Sequence, residues 1–195
     1  MSLLQEKKAA FTVNLLLDAA WELLKRCDID ELSFKKVAEQ ADISQRTMFR
    51  YFTTREAFLD ALTVRLYAEL DIPNVPNEVD ALPSYIATLY AKLDAQPRKV
   101  MVLLSADLLP RVLNANTKQR LQALEDLLKN HFSYVSADDI KKTAANLRYV
   151  MSASSWRYYR MHFEFDSQMA TECGQLFVTQ SLAYLGSKNL SQNPA

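Results

Sequence analysis

The run Ser44-Gln45-Arg46-Thr47-Met48-Phe49-Arg50-Tyr51-Phe52 gathers a carboxamide, two guanidinium groups, two aliphatic hydroxyls and a phenol within nine residues. If it is helical, each residue advances about 100° around the axis. With Ser44 at zero, Met48 and Phe52 lie near about 40° and 80° and form an apolar face. Arg46, Arg50, Thr47 and Tyr51 spread over roughly 200° to 340°, largely on the other side. One side of such a helix packs and the other offers polar groups from a rigid rod, which is what contact with base edges and phosphates in a DNA groove needs. Charge agrees. Between Ser33 and Arg55 stand Lys35, Lys36, Arg46, Arg50 and Arg55 against only Glu39 and Asp42, in a chain of formal net charge zero. A local positive patch steers a polyanion while the rest of the surface stays balanced. Arg46 and Arg50 have a plainer alternative as solvated surface, and Ser33 is first of all a helix cap.

Other chemistries find little to build on. The two histidines, His131 and His162, stand far apart, and neither sits in Glu-x-x-His spacing. A metal-carrying helical bundle is therefore not expected, and no catalytic constellation or cofactor is indicated. Only two glycines occur, Gly174 and Gly186, too few for a glycine-rich phosphate loop or for the tight turns of an all-β fold. Cys27 and Cys173 make no CxxC pair and read as two reduced thiols in a cytoplasmic chain. The N-terminal segment lacks the pattern of a signal peptide, and no stretch is long and apolar enough to span a membrane. The expectation is an all-α protein that is not an enzyme.

The elements that must position the polar run are legible from periodicity and punctuation. Phe11, Leu15, Ala19 and Leu23 recur every four residues in a first helix over about 4–26. Ser33 caps a short second helix, Ala41-Asp42-Ile43 turns the chain, and Ser44 caps a third. Thr53 and Glu56 have capping-box spacing ahead of a fourth helix with Phe58, Leu59, Leu62 and Leu66. The proline-rich stretch 71–83 divides a head, residues 1–70, from a body, residues 71–195. In the body, helices are expected over 84–95, from Pro97, over 117–132, as one long helix from Ser136 to about Phe163, and over 167–185. Pro110 is expected to interrupt, and a short polar tail (187–195) to follow. The total is about nine helices.

At this point a resemblance becomes specific. Ser33, Val37-Ala38, Ala41-Asp42-Ile43, Ser44-Gln45-Arg46-Thr47, Met48-Phe49, Tyr51-Phe52 and Arg55-Glu56 resemble the DNA-binding motif of the TetR family of transcriptional regulators. The resemblance implies a three-helix, helix-turn-helix head on a helical ligand-binding and dimerisation body. It implies that Gln45 and Arg46 read bases, Gln suiting adenine and Arg guanine. Thr47 and Tyr51 would hold phosphates, and Arg55 would clamp the DNA backbone. Lys35 and Lys36, with Lys7 and Lys8, would add phosphate contacts. Two departures stand out. Asp42 replaces the usual turn glycine, which Asp tolerates in the left-handed region. Phe49 replaces a usual tyrosine, which removes one phosphate hydrogen bond.

The body carries two further expectations. Ile140, Ala144, Leu147, Met151 and Tyr158 form one apolar stripe, and Leu176, Phe177, Leu182, Tyr184 and Leu185 another. These suit a homodimer through the last two helices, which the resemblance also implies, and two-fold symmetry matches a palindromic operator in double-stranded DNA. Tyr90, Met101, Tyr149, Trp156, Arg157 and Tyr159 are candidates to line a pocket for an unknown small-molecule effector. The alternative for these aromatics is plain core. A ligand-responsive regulator, repressor in type, is the leading expectation. The competing one is a helical small-molecule-binding or scaffolding protein that no longer reads DNA.

Overall fold

The structure, a computed structural model, describes residues 3–191. Among them run ten α-helices: α1 (Leu3–Leu24), α2 (Phe34–Gln40), α3 (Gln45–Tyr51), α4 (Arg55–Glu69), α5 (Leu82–Ala95), α6 (Pro97–Leu103), α7 (Leu109–His131), α8 (Ala137–Val150), α9 (Ala153–Arg157) and α10 (Ser167–Ser191). Single 3-10 turns at Ile29–Glu31 and Val79–Ala81 and a π-helical turn at Tyr158–His162 complete the described order. No strand occurs among the described residues, so the fold is all-α.

Several boundaries differ from expectation for local reasons. The cap of α4 is Thr54, whose side chain accepts from the Ala57 amide, one residue on from the Thr53 expected. Pro110 does not interrupt. It is the second residue of α7, where its missing N–H lacks an intrahelical acceptor in any case. The single long helix expected from Ser136 breaks at Met151. There the Ser152 and Ser155 hydroxyls both donate to the Tyr149 carbonyl at 2.6 Å, and Ser152 caps α9 through the Ser155 amide. Such side-chain bonds offer the backbone an alternative to continuing the helix. Helix α10 continues past Leu185 to Ser191; residues 192–195 of the expected tail lie outside the described residues.

The chain divides into two compact units. The first is Met1–Leu70 with Arg98–Leu113; the second is Asp71–Pro97 with Asn114–Ala195. A simple cut after residue 70 therefore misses that Arg98–Leu113 packs with the head. Four ion pairs show why: Arg98 with Asp28, Lys99 with Glu69, Asp107 with Arg55, and Arg111 with Asp60. Lys99 is 6% exposed and also lies over the Trp21 ring at 5.0 Å. The first unit buries Leu16, Ala20 and Leu24 of α1, Val37 of α2, Met48 of α3 and Phe58, Leu62 and Leu66 of α4, with Val100 and Leu108. The second buries Leu82, Ile86 and Tyr90 of α5, Leu124 and Leu128 of α7, Ala144 and Leu147 of α8, Trp156 and Val178. Helices α5 and α10 come close at Gly174, where an added Cβ would stand 2.8 Å from Ile86 Cγ2.

Candidate nucleic-acid interface

Capping chemistry sets the two short helices. Ser33 Oγ accepts from the Lys36 amide at 3.2 Å, and Ser44 Oγ from the Thr47 amide at the same distance. Each bond satisfies a donor that the first helical turn would leave open. Between them the chain turns at Asp42 with φ 53°, the left-handed conformation expected where a glycine would be usual. The helix-turn-helix is thus held by local chemistry at both helix starts and at the turn.

Burial divides α3 as its helical wheel requires. Met48 is fully buried and the following Phe52 nearly so, while Gln45, Arg46, Phe49 and Arg50 are exposed. Gln45, Phe49, Arg46 and Arg50 succeed one another around the axis over about 140°. Thr47 is half-buried, and its hydroxyl is 2.9 Å from Ser44 Oγ. Arg50 lies over the Tyr51 ring with its guanidinium carbon 5.1 Å from the centroid. Hydrogen bonding with Thr12, then with Arg50, holds the Tyr51 phenol below its ordinary value of 10.0. Lys35 and Lys36 on α2, and Lys7 and Lys8 on α1, are exposed. Lys35 has Glu39 at 3.9 Å, a surface pair of little consequence for stability.

Arg55 stands apart from this set. Its guanidinium donates to the Leu32 carbonyl at 2.7 Å, the Ile29 carbonyl at 3.1 Å and Asp107 Oδ2 at 3.1 Å. It is a brace within the first unit rather than the open phosphate clamp expected, because carbonyls and a carboxylate already surround it. Phe34, an apolar residue of the second helix by its spacing with Val37 and Ala38, has ring partners that the sequence did not indicate. Its ring meets Phe49 at 5.2 Å and Phe58 edge-on at 5.6 Å. Nothing local to Asp107 could have announced its partner.

The body candidates do not form one set. Met101 belongs to the first unit and the other five to the second. Tyr90 is fully buried and donates to the Val150 carbonyl at 2.9 Å; its ring lies 6.3 Å from that of half-buried Tyr159. Burial pushes both phenols up, that of Tyr90 far above its ordinary value. Trp156 is fully buried with its indole N–H on Asp94 at 3.0 Å, which makes it core. Tyr149 is 64% exposed. Arg157 is half-buried, and its Nε is buried without a hydrogen-bond partner. A cleft of about 570 Å³ opens elsewhere in the second unit, between Val75–Val79 and α7 residues including Asp126, Asn130 and His131. None of the six candidates lines it.

The two apolar stripes also separate. Ile140, Ala144, Leu147 and Met151 are buried inside the subunit, so that stripe is core rather than the free surface expected; only Tyr158 of the five is exposed. On α10, Leu185 is buried and Leu182 half-buried, while Leu176, Phe177 and Tyr184 remain exposed.

Comparison with known proteins places these features. Residues 16–62 match the family described as bacterial regulatory proteins, tetR family. The chain is 32% identical over 73 residues to the tetracycline repressor protein class A from transposon 1721 of Escherichia coli, covering 37% of this chain and 34% of that protein. It is 32% identical over 71 residues to the class D tetracycline repressor of Escherichia coli, covering 36% and 33%. The match thus spans about a third of the length of these curated relatives. Among solved structures, a tetR-family transcriptional regulator from Streptomyces coelicolor aligns with TM-score 0.62 at 16% identity, over 93% of this chain and 85% of the other. A TetR-like transcriptional regulator from Rhodococcus sp. RHA1 aligns with TM-score 0.57 at 18% identity, over 88% and 96%. At such identities these two likenesses speak to the fold.

Proposed function

We propose that this chain, whose residues 16–62 match the tetR family of bacterial regulatory proteins, is a homodimeric, ligand-responsive transcription regulator of that type that binds a palindromic DNA operator and acts as a repressor. The observation that carries this reading is the division of α3. Met48 and Phe52 anchor the helix in the core, and Gln45, Arg46, Phe49 and Arg50 stand exposed on one arc. Such a helix fits a major groove, Gln45 facing an adenine and Arg46 a guanine. Lys35, Lys36, Lys7, Lys8, Thr47 and Tyr51 are placed in the role of phosphate contacts.

Residues 1–70, braced by Arg98–Leu113, are assigned to DNA, and Asp71–Pro97 with Asn114–Ala195 to the effector and the second subunit. The subunit contact is assigned to the exposed side of α10, with Leu176, Phe177 and Tyr184, and to the side of α8 that the core leaves open. Effector binding would act by favouring one of two dimer states, which requires that it bind that state better. No helix among the described residues is long and apolar enough to cross a membrane, and a cytoplasmic regulator accords with that.

Salt dependence of duplex binding tests the proposal. Each phosphate contact releases counterions, so affinity should fall steeply between about 50 mM and about 200 mM salt. A flat response, or no duplex binding, would favour a helical ligand-binding protein that no longer reads DNA.

A further inference from the structure

We infer that the outward face of α1 is a contact for a second copy of this chain, in which two α1 helices lie antiparallel. Leu4, Lys8, Phe11, Leu15, Asp18 and Glu22 follow one another at intervals of four, three, four, three and four residues. That alternation is the spacing of a seam between paired helices. At about 100° per residue the six lie within about 80° of arc. All six are exposed, and the opposite face, with Leu16, Leu17, Ala20 and Leu24, is the one buried in the first unit.

A single exposed apolar side chain is ordinary on a protein surface. Here Leu4 is 62% exposed, Phe11 65% and Leu15 37%, all on one seam of one helix. Charge along that seam selects the occupant. Its N-terminal half carries the cation Lys8, and its C-terminal half carries the anions Asp18 and Glu22. Asp18 accepts from Arg65 at 2.7 Å and Glu22 pairs with Lys25, yet both carboxylates remain exposed. Parallel helices would set Lys8 against Lys8 and Asp18 against Asp18. Antiparallel helices centred between Phe11 and Leu15 set Phe11 on Leu15 of the second copy and Lys8 on Asp18 of the second copy. Two-fold symmetry makes each of these contacts twice. Leu4 then lies along the methylene stem of Glu22 of the second copy, and the two helices overlap over nearly their whole length. The charges thus favour one pairing and penalise the other. This contact is separate from the one assigned above to α8 and α10. One helix buries less area than a stable interface does, so the association is weak and depends on concentration.

Sedimentation of the full chain over a rising concentration series tests the contact, without duplex because Lys8 is also placed as a phosphate contact. The unaltered protein should reach twice its dilute-solution mass at high concentration. Phe11→Asp should stay at the dilute-solution mass, with an unchanged melting temperature because the side chain is exposed. Lys8→Glu should stay there too, and Lys8→Glu combined with Asp18→Lys should regain the doubled mass, since the pair is restored with its charges exchanged. The same mass increase in Phe11→Asp, or none in the unaltered protein, overturns the contact. A double variant that melts normally but does not recover overturns the antiparallel pairing. Binding of the unaltered protein, and not of Phe11→Asp, to phosphatidylserine vesicles with no change of mass would give this face to an anionic membrane surface instead. None of these readouts uses duplex binding, so the contact and the DNA-binding reading fail separately.

Discussion

Arg55 and Asp107 are 52 positions apart in sequence and 3.1 Å apart in space. The same guanidinium holds the carbonyls of Ile29 and Leu32, which lead into the Ser33 cap of α2. One side chain thus ties the entry to the helix-turn-helix to the segment between α6 and α7. Arg55→Ala should destabilise the protein by about 1.5–3 kcal/mol, as expected for hydrogen bonds from a charged donor. Asp107→Asn should cost less than about 1 kcal/mol, because both partners of the pair are around 40% exposed. Thermal melts measure both. The slope of log affinity against log salt should not change in Arg55→Ala; a slope shallower by about 0.9 would make Arg55 a phosphate contact after all.

Arg46 has no such internal engagement among the described contacts, and it is exposed at the start of α3. Arg46→Ala should weaken specific binding by about 1–3 kcal/mol and relax the preference at one base pair, if the side chain reads a guanine. Competition binding against single-base variants of the enriched duplex measures this. Unchanged affinity and preference would remove Arg46 from the readers.

Asp94 gathers three donors in the second unit: Trp156 Nε1 at 3.0 Å, Arg160 Nε at 2.8 Å and Ser167 Oγ at 2.6 Å. Asp94→Ala leaves the fully buried indole N–H of Trp156 without an acceptor, which costs about 1–3 kcal/mol by itself. A lowered denaturation midpoint with a shifted tryptophan emission is the expected signature. An unchanged midpoint would contradict the account of Trp156 as braced core.

Acid should loosen the first unit at Glu69. Burial raises its carboxyl, but hydrogen bonds from Lys99 and Arg65 outweigh that and leave it below the ordinary 4.5. The contribution of a depressed carboxyl is present above its unfolded value and is lost as pH falls through the folded one. The melting temperature should therefore decline as pH drops below about 4.5, and Glu69→Gln should be less stable at neutral pH with a shallower decline. Parallel acid limbs in the two proteins would rule this out.

What was legible in the sequence was local. Ser33, Ser44 and Ser136 each cap the helix expected of them, because a cap needs only a side chain and an amide two or three residues on. The burial of Met48 and Phe52 against the exposure of Arg46 and Arg50 follows from helical period alone, while the left-handed turn at Asp42 was implied by the resemblance, which puts a glycine there. What required the fold was partnership at a distance. Periodicity says that Ile140, Ala144 and Leu147 are covered, but not whether by their own subunit. It cannot say that Asp94 takes the Trp156 indole, or that Asp107 closes on Arg55. The break at Ser152 escaped for another reason: hydroxyls on the Tyr149 carbonyl compete with a helix that the apolar pattern alone would continue.

The most direct test of the central claim is selection of the purified protein on random DNA duplexes, with sequencing of the bound pool. The account predicts enrichment of a two-fold-symmetric site whose half-sites lie about one helical turn or a multiple of it apart, each containing the adenine and guanine assigned to Gln45 and Arg46. A pool without enrichment, under conditions where the protein is folded and dimeric, would contradict it.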